Sequence, residues 1–342
     1  MKEIIPPTET AVRKGRWKRR LIRSVAITVP LLIILFAAGL WFSSNQLLFP
    51  VWRGVSKDLS VCNPETEKNW GKGCGNLRIT HEFKFQELQI PALSGYQLPG
   101  WLIRTADNGK GPAKGAILLV HGGGGDRREE TRFIGYYLDR QLDVLTFDLG
   151  GHGEAPGPVA GMTYGDRESR DVLSVYLYLT GQYDKVYAMG TSVGAASILI
   201  ALPEMPKLAG VIAENPSPGF QRLIKESPVS KSIPGWFSTL LIRLTMLRGH
   251  FDGQLSPENS LRLVKTTPIF FIHSRTDKLL PYRTTEEMAN AYAGPKTCWF
   301  PEKGDHAAIW EVDPADYEKR VTDFLNYSSL PATATPALAI QR

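Results

Sequence analysis

The pentapeptide Gly190-Thr191-Ser192-Val193-Gly194 follows the short apolar run Val186–Met189 and leads into small residues. That order reads as a strand, a sharp turn and a helix start. The Gly-x-Ser-x-Gly spacing has a steric cause, since a serine in a strained turn is exposed only where small neighbours let strand and helix pass closely. A serine hydroxyl is a poor nucleophile until a base takes its proton, and the base needs a carboxylate to fix its tautomer and stabilise its charge. Asp277, in Arg275-Thr276-Asp277-Lys278, and His306, in Gly304-Asp305-His306, supply those two types. Each follows an apolar strand-like run, Ile269–Ile272 for the acid and Thr297–Phe300 for the base. Glu214, just after Leu208–Ala213, is the alternative acid, because either neighbouring strand end can reach the same base. The chemistry indicated is attack on a carbonyl carbon with a covalent acyl-enzyme.

The remaining candidate group is a run of glycines. His121-Gly122-Gly123-Gly124-Gly125 follows Ala116–Val120, and such a run makes sense where bare N–H groups must approach a ligand. A phosphate cradle would need a Walker or dinucleotide glycine pattern, and neither occurs. An oxyanion hole built from this loop and the residue after the nucleophile is the better reading. His152, in Gly150-Gly151-His152-Gly153 after Val144–Phe147, reads as a loop histidine with a structural hydrogen bond. His81, His121, His250 and His273 are set aside by position, while Asp252 and Asp305 read as turn caps or solvated groups.

These residues must be carried by a sheet. The apolar runs alternate with longer helical segments at 128–141, 166–180, 193–202 and 282–293, which implies a mainly parallel sheet with helices on both faces and reactive groups at the strand carboxyl ends. Alternation between Leu77 and Thr105 predicts an entering β-hairpin. The long segment 216–267 is a lid candidate, with Trp236, Leu240, Leu244 and Leu247 at helical spacing and Phe237 and Leu241 beside them. That stripe fits a helix packed on the domain, or an apolar wall over the serine that accepts an acyl chain.

The 342 residues are 43% hydrophobic, a normal core-forming composition. Eight of the 40 basic and two of the 34 acidic residues precede residue 24, which leaves 32 of each sign. The folded part is thus formally neutral, and nucleic acid is not an expected partner. Behind the basic cluster, Val25–Phe42 is an uncharged apolar run of membrane-spanning length. It exceeds the apolar region of a cleaved signal peptide, so an uncleaved anchor is expected, with the basic flank cytoplasmic and the rest exported. Cys62 and Cys74 bracket a polar loop that a disulfide would close in an oxidising compartment. Two free thiols are the alternative. Cys298 reads as core.

Together, VHGGGG at 120–125, FDLGGHGEAPG at 147–157, GTSVG at 190–194, RTDKLLP at 275–281 and GDH at 304–306 resemble the α/β-hydrolase superfamily over roughly residues 78–327. The layout is similar to its membrane-anchored ABHD13/Bem46-like branch, in which one N-terminal span precedes the domain. The resemblance implies an α/β-hydrolase fold with Ser192 as nucleophile, Asp277 orienting, His306 as base, and the N–H groups of Gly123 and Val193 holding the oxyanion. It implies no metal and no organic cofactor. One departure is that Gly150-Gly151 stands where many relatives carry an arginine before Gly-His-Gly, which leaves the support of that loop open. The expected organisation is a basic cytoplasmic tail (1–23), a span (24–42), a linker with the disulfide loop (43–76), the hydrolase domain with its lid (77–327) and a disordered tail (328–342). The expected activity is hydrolysis of an ester or thioester, with a lipid or acyl substrate favoured. A peptidase of the same chemistry and a non-catalytic exported binding protein are the alternatives.

Overall fold

Eight strands form one sheet: β1 Gln86–Pro91, β2 Gln97–Ile103, β3 Gly115–Val120, β4 Leu142–Phe147, β5 Val186–Thr191, β6 Leu208–Glu214, β7 Ile269–Ile272 and β8 Lys296–Trp299. The structure is a computed structural model and describes residues 9–53, 58–157 and 160–329. The strand order is β1-β2-β4-β3-β5-β6-β7-β8. The β1–β2 hairpin is antiparallel, β2 lies antiparallel on β4, and every later pairing is parallel. This is the α/β-hydrolase fold.

The period of two decides which face each strand side chain joins. In β3, Ala116, Leu118 and Val120 enter one core with Val172 and Val175 of helix Asp166–Thr180 and Ile198 and Leu199 of helix Val193–Ala201. Ile117 and Leu119 enter the opposite core, with Tyr137 and with Tyr317, Val321 and Phe324 of helix Pro314–Ser328. Both faces are buried, which is why these strands are continuous apolar runs. A third cluster of Met162, Tyr164, Val193, Phe220, Ile224 and Ile242 lies over the carboxyl edge, with Leu47 packed against it. The insertion between β6 and β7 supplies helices Phe220–Glu226, Pro228–Lys231, Gly235–Gly249 and Pro257–Leu261.

Two expectations differ from what is observed. The hairpin begins only at Gln86, because Leu77–Thr80 is a helical turn capped by Asn76. The first helix runs from Glu9 to Leu48, so it extends beyond the expected span on both sides and takes in residues 9–23 of the expected basic tail. Once the apolar run has nucleated a helix, extending it through Arg and Lys, good helix formers, costs little. Residues 1–8 and 330–342 of the two expected tails lie outside the described residues. Within the first helix, Arg19–Leu48 is long and apolar enough to cross a membrane and is almost wholly unpacked.

Cys62 and Cys74 are bonded. Between them, helix Pro64–Trp70 starts on an Asn63 side chain that accepts from Thr66 N at 2.9 Å. Arg128 pins the preceding strand of chain by donating to Leu59 O at 2.7 Å and Val61 O at 2.9 Å, and its guanidinium lies over the Trp70 ring. Cys298 is buried and unbonded. The double variant Cys62→Ser/Cys74→Ser should therefore lose about 3 kcal/mol, the loop-entropy value for a short closed loop. A denaturant midpoint unchanged from the parent would show that packing alone holds the loop.

Candidate active site

The turn at Ser192 joins β5 to helix Val193–Ala201 with φ 54° and ψ −112°. A non-glycine residue in this region carries strain of about 1–3 kcal/mol and persists only where its surroundings fix it. Here Ser192 N donates to Glu214 O at 2.9 Å, while Ser192 O accepts from Ala196 N at 3.0 Å and Ser217 N at 3.1 Å. The helix also presses on the end of β3. A Cβ on Gly194 would lie 2.3 Å from Val120 O and 2.4 Å from His121 O, so only glycine fits. Close approach thus sets the serine against the glycine loop.

Asp277 and His306 are brought together. His306 Nδ1 donates to Asp277 Oδ2 at 2.7 Å, which leaves Nε2 as the second nitrogen of the ring. Asp277 Oδ2 also accepts from Asn215 Nδ2 at 2.7 Å and lies 3.0 Å from His273 Nε2. Its Oδ1 accepts from Leu279 N and Leu280 N, both at 2.8 Å. Burial alone would raise the pKa of this carboxyl, but the hydrogen bonds from His273 and His306 more than offset it and hold Asp277 well below the usual carboxylate range. Glu214 is not on His306. It is buried, accepts from Tyr317 OH at 2.8 Å, and is pushed up by desolvation against the lowering charge of Arg132.

Two buried histidines support the glycine loop. His121 Nδ1 is 2.7 Å from Gly122 O, and His121 Nε2 accepts from Leu149 N at 3.0 Å, so Nδ1 carries the proton. His152 Nε2 lies 3.0 Å from Gly123 O. Gly122 N donates to Glu129 Oε2 at 2.8 Å and is therefore committed away from a substrate. Burial lowers both histidines to about 4, partly opposed at His121 by its bond to Gly122 and the charge of Asp126 and reinforced at His152 by the neighbouring His121, and both are neutral near pH 7.

The glycine pair at 150–151 has its own support. Gly150 N donates to Asp171 Oδ2 at 2.8 Å, and Tyr96 OH donates to Asp171 Oδ1 at 2.7 Å. A Cβ on Gly150 would sit 2.2 Å from the Tyr96 hydroxyl oxygen, which explains a glycine at that position. Asp148 accepts from Arg127 N and Glu154 N, both at 2.8 Å, and pairs with the buried Arg127 guanidinium. The arginine for this loop thus comes from residue 127 and not from within the turn.

Ser192, His306, Gly123 and Val193 all line one cavity of about 760 Å³. Trp52, Tyr164, Leu223 and Leu279 give it an apolar side, and Asn69, Glu129, Arg132 and Glu311 a polar one. Arg132 bonds Glu311 Oε1 at 2.6 Å and Asn69 O at 3.0 Å, which ties the disulfide loop to the cavity. The expected lid residues are elsewhere. Trp236, Phe237, Leu240 and Leu244 do not line this cavity; Trp236 and Phe237 pack on Phe36 of the first helix. Leu240 and Leu247 of the same stripe are exposed, so the stripe does not form a wall over the serine. Sequence reasoning missed Trp52, Asn69 and Trp70, whose segment has no period, and Asn215 and His273, which carried only the weak signal of following a strand.

The comparisons agree with this architecture. A family model described as the alpha/beta hydrolase fold matches residues 115–249. YqkD of Bacillus subtilis is 25% identical over 252 residues, 69% of this chain and 78% of that protein. YfhR of Escherichia coli K12 is 23% identical over 247 residues, 70% and 80% of the two chains. Among solved structures, the Pyrococcus furiosus esterase Pf2001 superposes with a TM-score of 0.56 at 21% identity, covering 71% of this chain and 91% of its own. Est1E of Butyrivibrio proteoclasticus, with ferulic acid bound, gives 0.54 at 16% identity over 70% and 98%. An acetyl xylan esterase from Paenibacillus sp. R4 gives 0.54 at 15% over 71% and 87%.

The histidine pair makes stability depend on pH. Unfolded, each ring takes up its proton around 6.5; folded, only near 4. The stability they contribute is whole above about pH 6.5 and is lost as the pH falls toward 4, because the unfolded chain then binds more protons. His152→Gln should flatten the loss of unfolding free energy between about pH 7 and about pH 5. Denaturant titrations of the two proteins at both pH values measure this, and equal slopes would remove His152 from the account.

Proposed function

We propose that this protein is a membrane-anchored serine hydrolase that cleaves an ester or thioester through an acyl-enzyme, with a lipid or acyl substrate favoured. The observation that carries the reading is the meeting of Ser192 and His306 in one cavity, with the Asp277 carboxylate on the far nitrogen of the imidazole. The matched folds include proteins named as esterases, which supports an ester over other carbonyl substrates. The apolar helix Arg19–Leu48 ahead of the domain is consistent with the ABHD13/Bem46-like branch, with an uncleaved anchor, a cytoplasmic N-terminus and an exported catalytic domain.

In this mechanism Ser192 Oγ attacks the carbonyl carbon while its proton passes to His306 Nε2. The carbonyl oxygen becomes an oxyanion, held by the N–H groups of Gly123 and Val193. Collapse breaks the bond to the leaving alcohol or thiol, which takes the proton from His306, and leaves the acyl group on Ser192. Water then gives a proton to His306 and adds to the acyl carbon. A second collapse releases the carboxylic acid and returns the proton to Ser192. Asp277 holds the Nδ1–H tautomer and stabilises the imidazolium that forms in each half-reaction. Tyr164, Leu223 and Leu279 offer the apolar surface on which an acyl chain would lie.

Ser192→Ala should abolish both turnover of p-nitrophenyl esters and labelling by a fluorophosphonate probe while leaving the unfolding transition in place; retained turnover would sink the assignment. Asp277→Asn should lower kcat by roughly 1,000- to 10,000-fold, the size seen when a triad base is left in the wrong tautomer. The anchor is tested separately by alkaline carbonate extraction of membranes from expressing cells. Full-length protein should stay in the pellet, and release to the supernatant would refute a spanning helix.

A further inference from the structure

The insertion helix Gly235–Gly249 packs beside the first helix, and its outward face is apolar. Phe36 meets Trp236 and Phe237 at ring-centroid distances of 6.0 and 5.8 Å. Further along, the Arg248 guanidinium stacks 3.6 Å above the Trp41 ring and donates to Trp41 O at 3.0 Å and Asn45 Oδ1 at 3.2 Å. Rising positions on one helix meet rising positions on the other, so the two run in the same sense. Ser238, Leu241, Ile242 and Thr245 face the domain and are buried. On the opposite side Trp236, Leu240 and Leu247 remain 61%, 39% and 73% exposed, with the exposed Arg243 among them.

We infer that Gly235–Gly249 is a second membrane-inserted element, a helix that does not span but is seated in the outer interface of the same bilayer that the first helix crosses, its Trp236 end deeper than its Arg248 end. The inference rests on the anchor reading given above. Its occupant is lipid because the exposed face continues the surface of the apolar run Val25–Phe42, whose side chains are exposed in the same way. The depth also fits. Phe36 lies six residues inside the run's outer end at Phe42, about 9 Å at 1.5 Å per residue. Trp236 is therefore carried roughly 9 Å below that end, within the ~5–10 Å to which interfacial helices bury their apolar faces. Arg248 sits at the level of Trp41, where a guanidinium meets lipid phosphate and an indole prefers the headgroup region.

This seating has a consequence for the cavity. Ile242 of the same helix and Leu47 of the first helix both pack into the cluster that contains Val193 and Tyr164. Tyr164 OH donates to Leu47 O at 2.9 Å, and Met162 N to Leu48 O at 2.9 Å. A few residues on, Trp52 lines the cavity itself. The chain that leaves the bilayer thus becomes a wall of the reaction site, and a helix lying in the interface holds the mouth beside the lipid surface. The substrate class that suits this placement is an ester of an amphiphile taken from the leaflet and not a freely soluble ester.

The test uses the full chain in phosphatidylcholine vesicles. With Cys62 and Cys74 bonded and Cys298 buried, a single introduced cysteine is the reactive thiol. Environment-sensitive labels on Leu240→Cys and Leu247→Cys should be quenched by nitroxide lipids and shielded from iodide. A label on Lys319→Cys, on the exposed surface of the last helix, should show the reverse. Thr239→Cys, on the same outward face, repeats the reading without removing an apolar side chain if folding suffers at position 240. Labels at 239, 240 and 247 that respond to iodide as the one at 319 does, with no lipid quenching, would overturn the inference. Fluorophosphonate labelling of the same vesicles separates the two readings: lipid quenching without labelling would leave the membrane seat standing and remove the hydrolase. The triple variant Trp236→Ser/Leu240→Ser/Leu247→Ser should keep turnover of a soluble short-chain ester and lose about tenfold or more on a vesicle-borne ester; equal turnover on both would count against the seat.

Discussion

The buried Asp277 carboxylate joins parts of the chain that no local rule brings together. Its two oxygens receive the side chain of Asn215 at the end of β6, His273 at the end of β7, the backbone of its own turn, and His306 beyond β8. Ionisation makes each of these hydrogen bonds stronger than its neutral counterpart, and burial would make an unpaired charge there expensive. Three adjacent parallel strand ends are therefore held in one register by a single anion. The orientation of the imidazole follows from that, and with it the side of the ring left for the serine.

On the other side of Ser192 the problem is different, because a glycine-rich loop has little to pack. The loop is held through its carbonyls. His121 takes the carbonyl of Gly122, His152 that of Gly123, and Glu129 accepts the Gly122 N–H. Fixing carbonyls in one direction fixes the peptide planes, and so the direction of the remaining N–H groups. The His121 ring must be neutral for this, because its Nε2 accepts from Leu149 N, and burial keeps it so. The neighbouring turn relies on Asp171, Tyr96 and Asp148 in the same way. Buried polar contacts of this kind favour one arrangement because a half-made network costs more than none.

The first helix belongs to this structure as much as to any membrane. Its last turn is hydrogen-bonded to residues 162 and 164, and the segment after it supplies Trp52 to the cavity. The bonded Cys62–Cys74 loop supplies Asn69 and Trp70 from the opposite direction. Two segments that precede the sheet in the chain thus close over the carboxyl edge, where the strand ends alone would leave the serine in open solvent. Enclosure of this kind strengthens the electrostatic interactions within the site.

Much of the fold was legible in the sequence. The apolar runs at β3 to β8 follow from burial on both faces, helix Asp166–Thr180 from its period, and the turn at Ser192 from glycines needed for close approach. The order of Ser192, Asp277 and His306 was equally readable, since each lies just past a strand. These are local signals, set by the backbone geometry of a few consecutive residues. What the local signals left open was settled by contacts between distant segments. Asp277 rather than Glu214 meets the histidine because Tyr317 takes the glutamate. The stripe containing Trp236 and Leu240 looked like a lid, yet amphipathicity says only that a face is apolar and not what covers it; here Phe36, some two hundred positions earlier, covers part of it. Trp52 left no periodic trace because it lies in an irregular segment, and Asn69 and Trp70 left none because their short helix, Pro64–Trp70, buries no apolar face. The sequence by itself determined the strands, the strained turn and the types of the candidate site groups, because these are set by a few consecutive residues, and the tertiary structure decided which carboxylate, which walls and which helix face each of them meets.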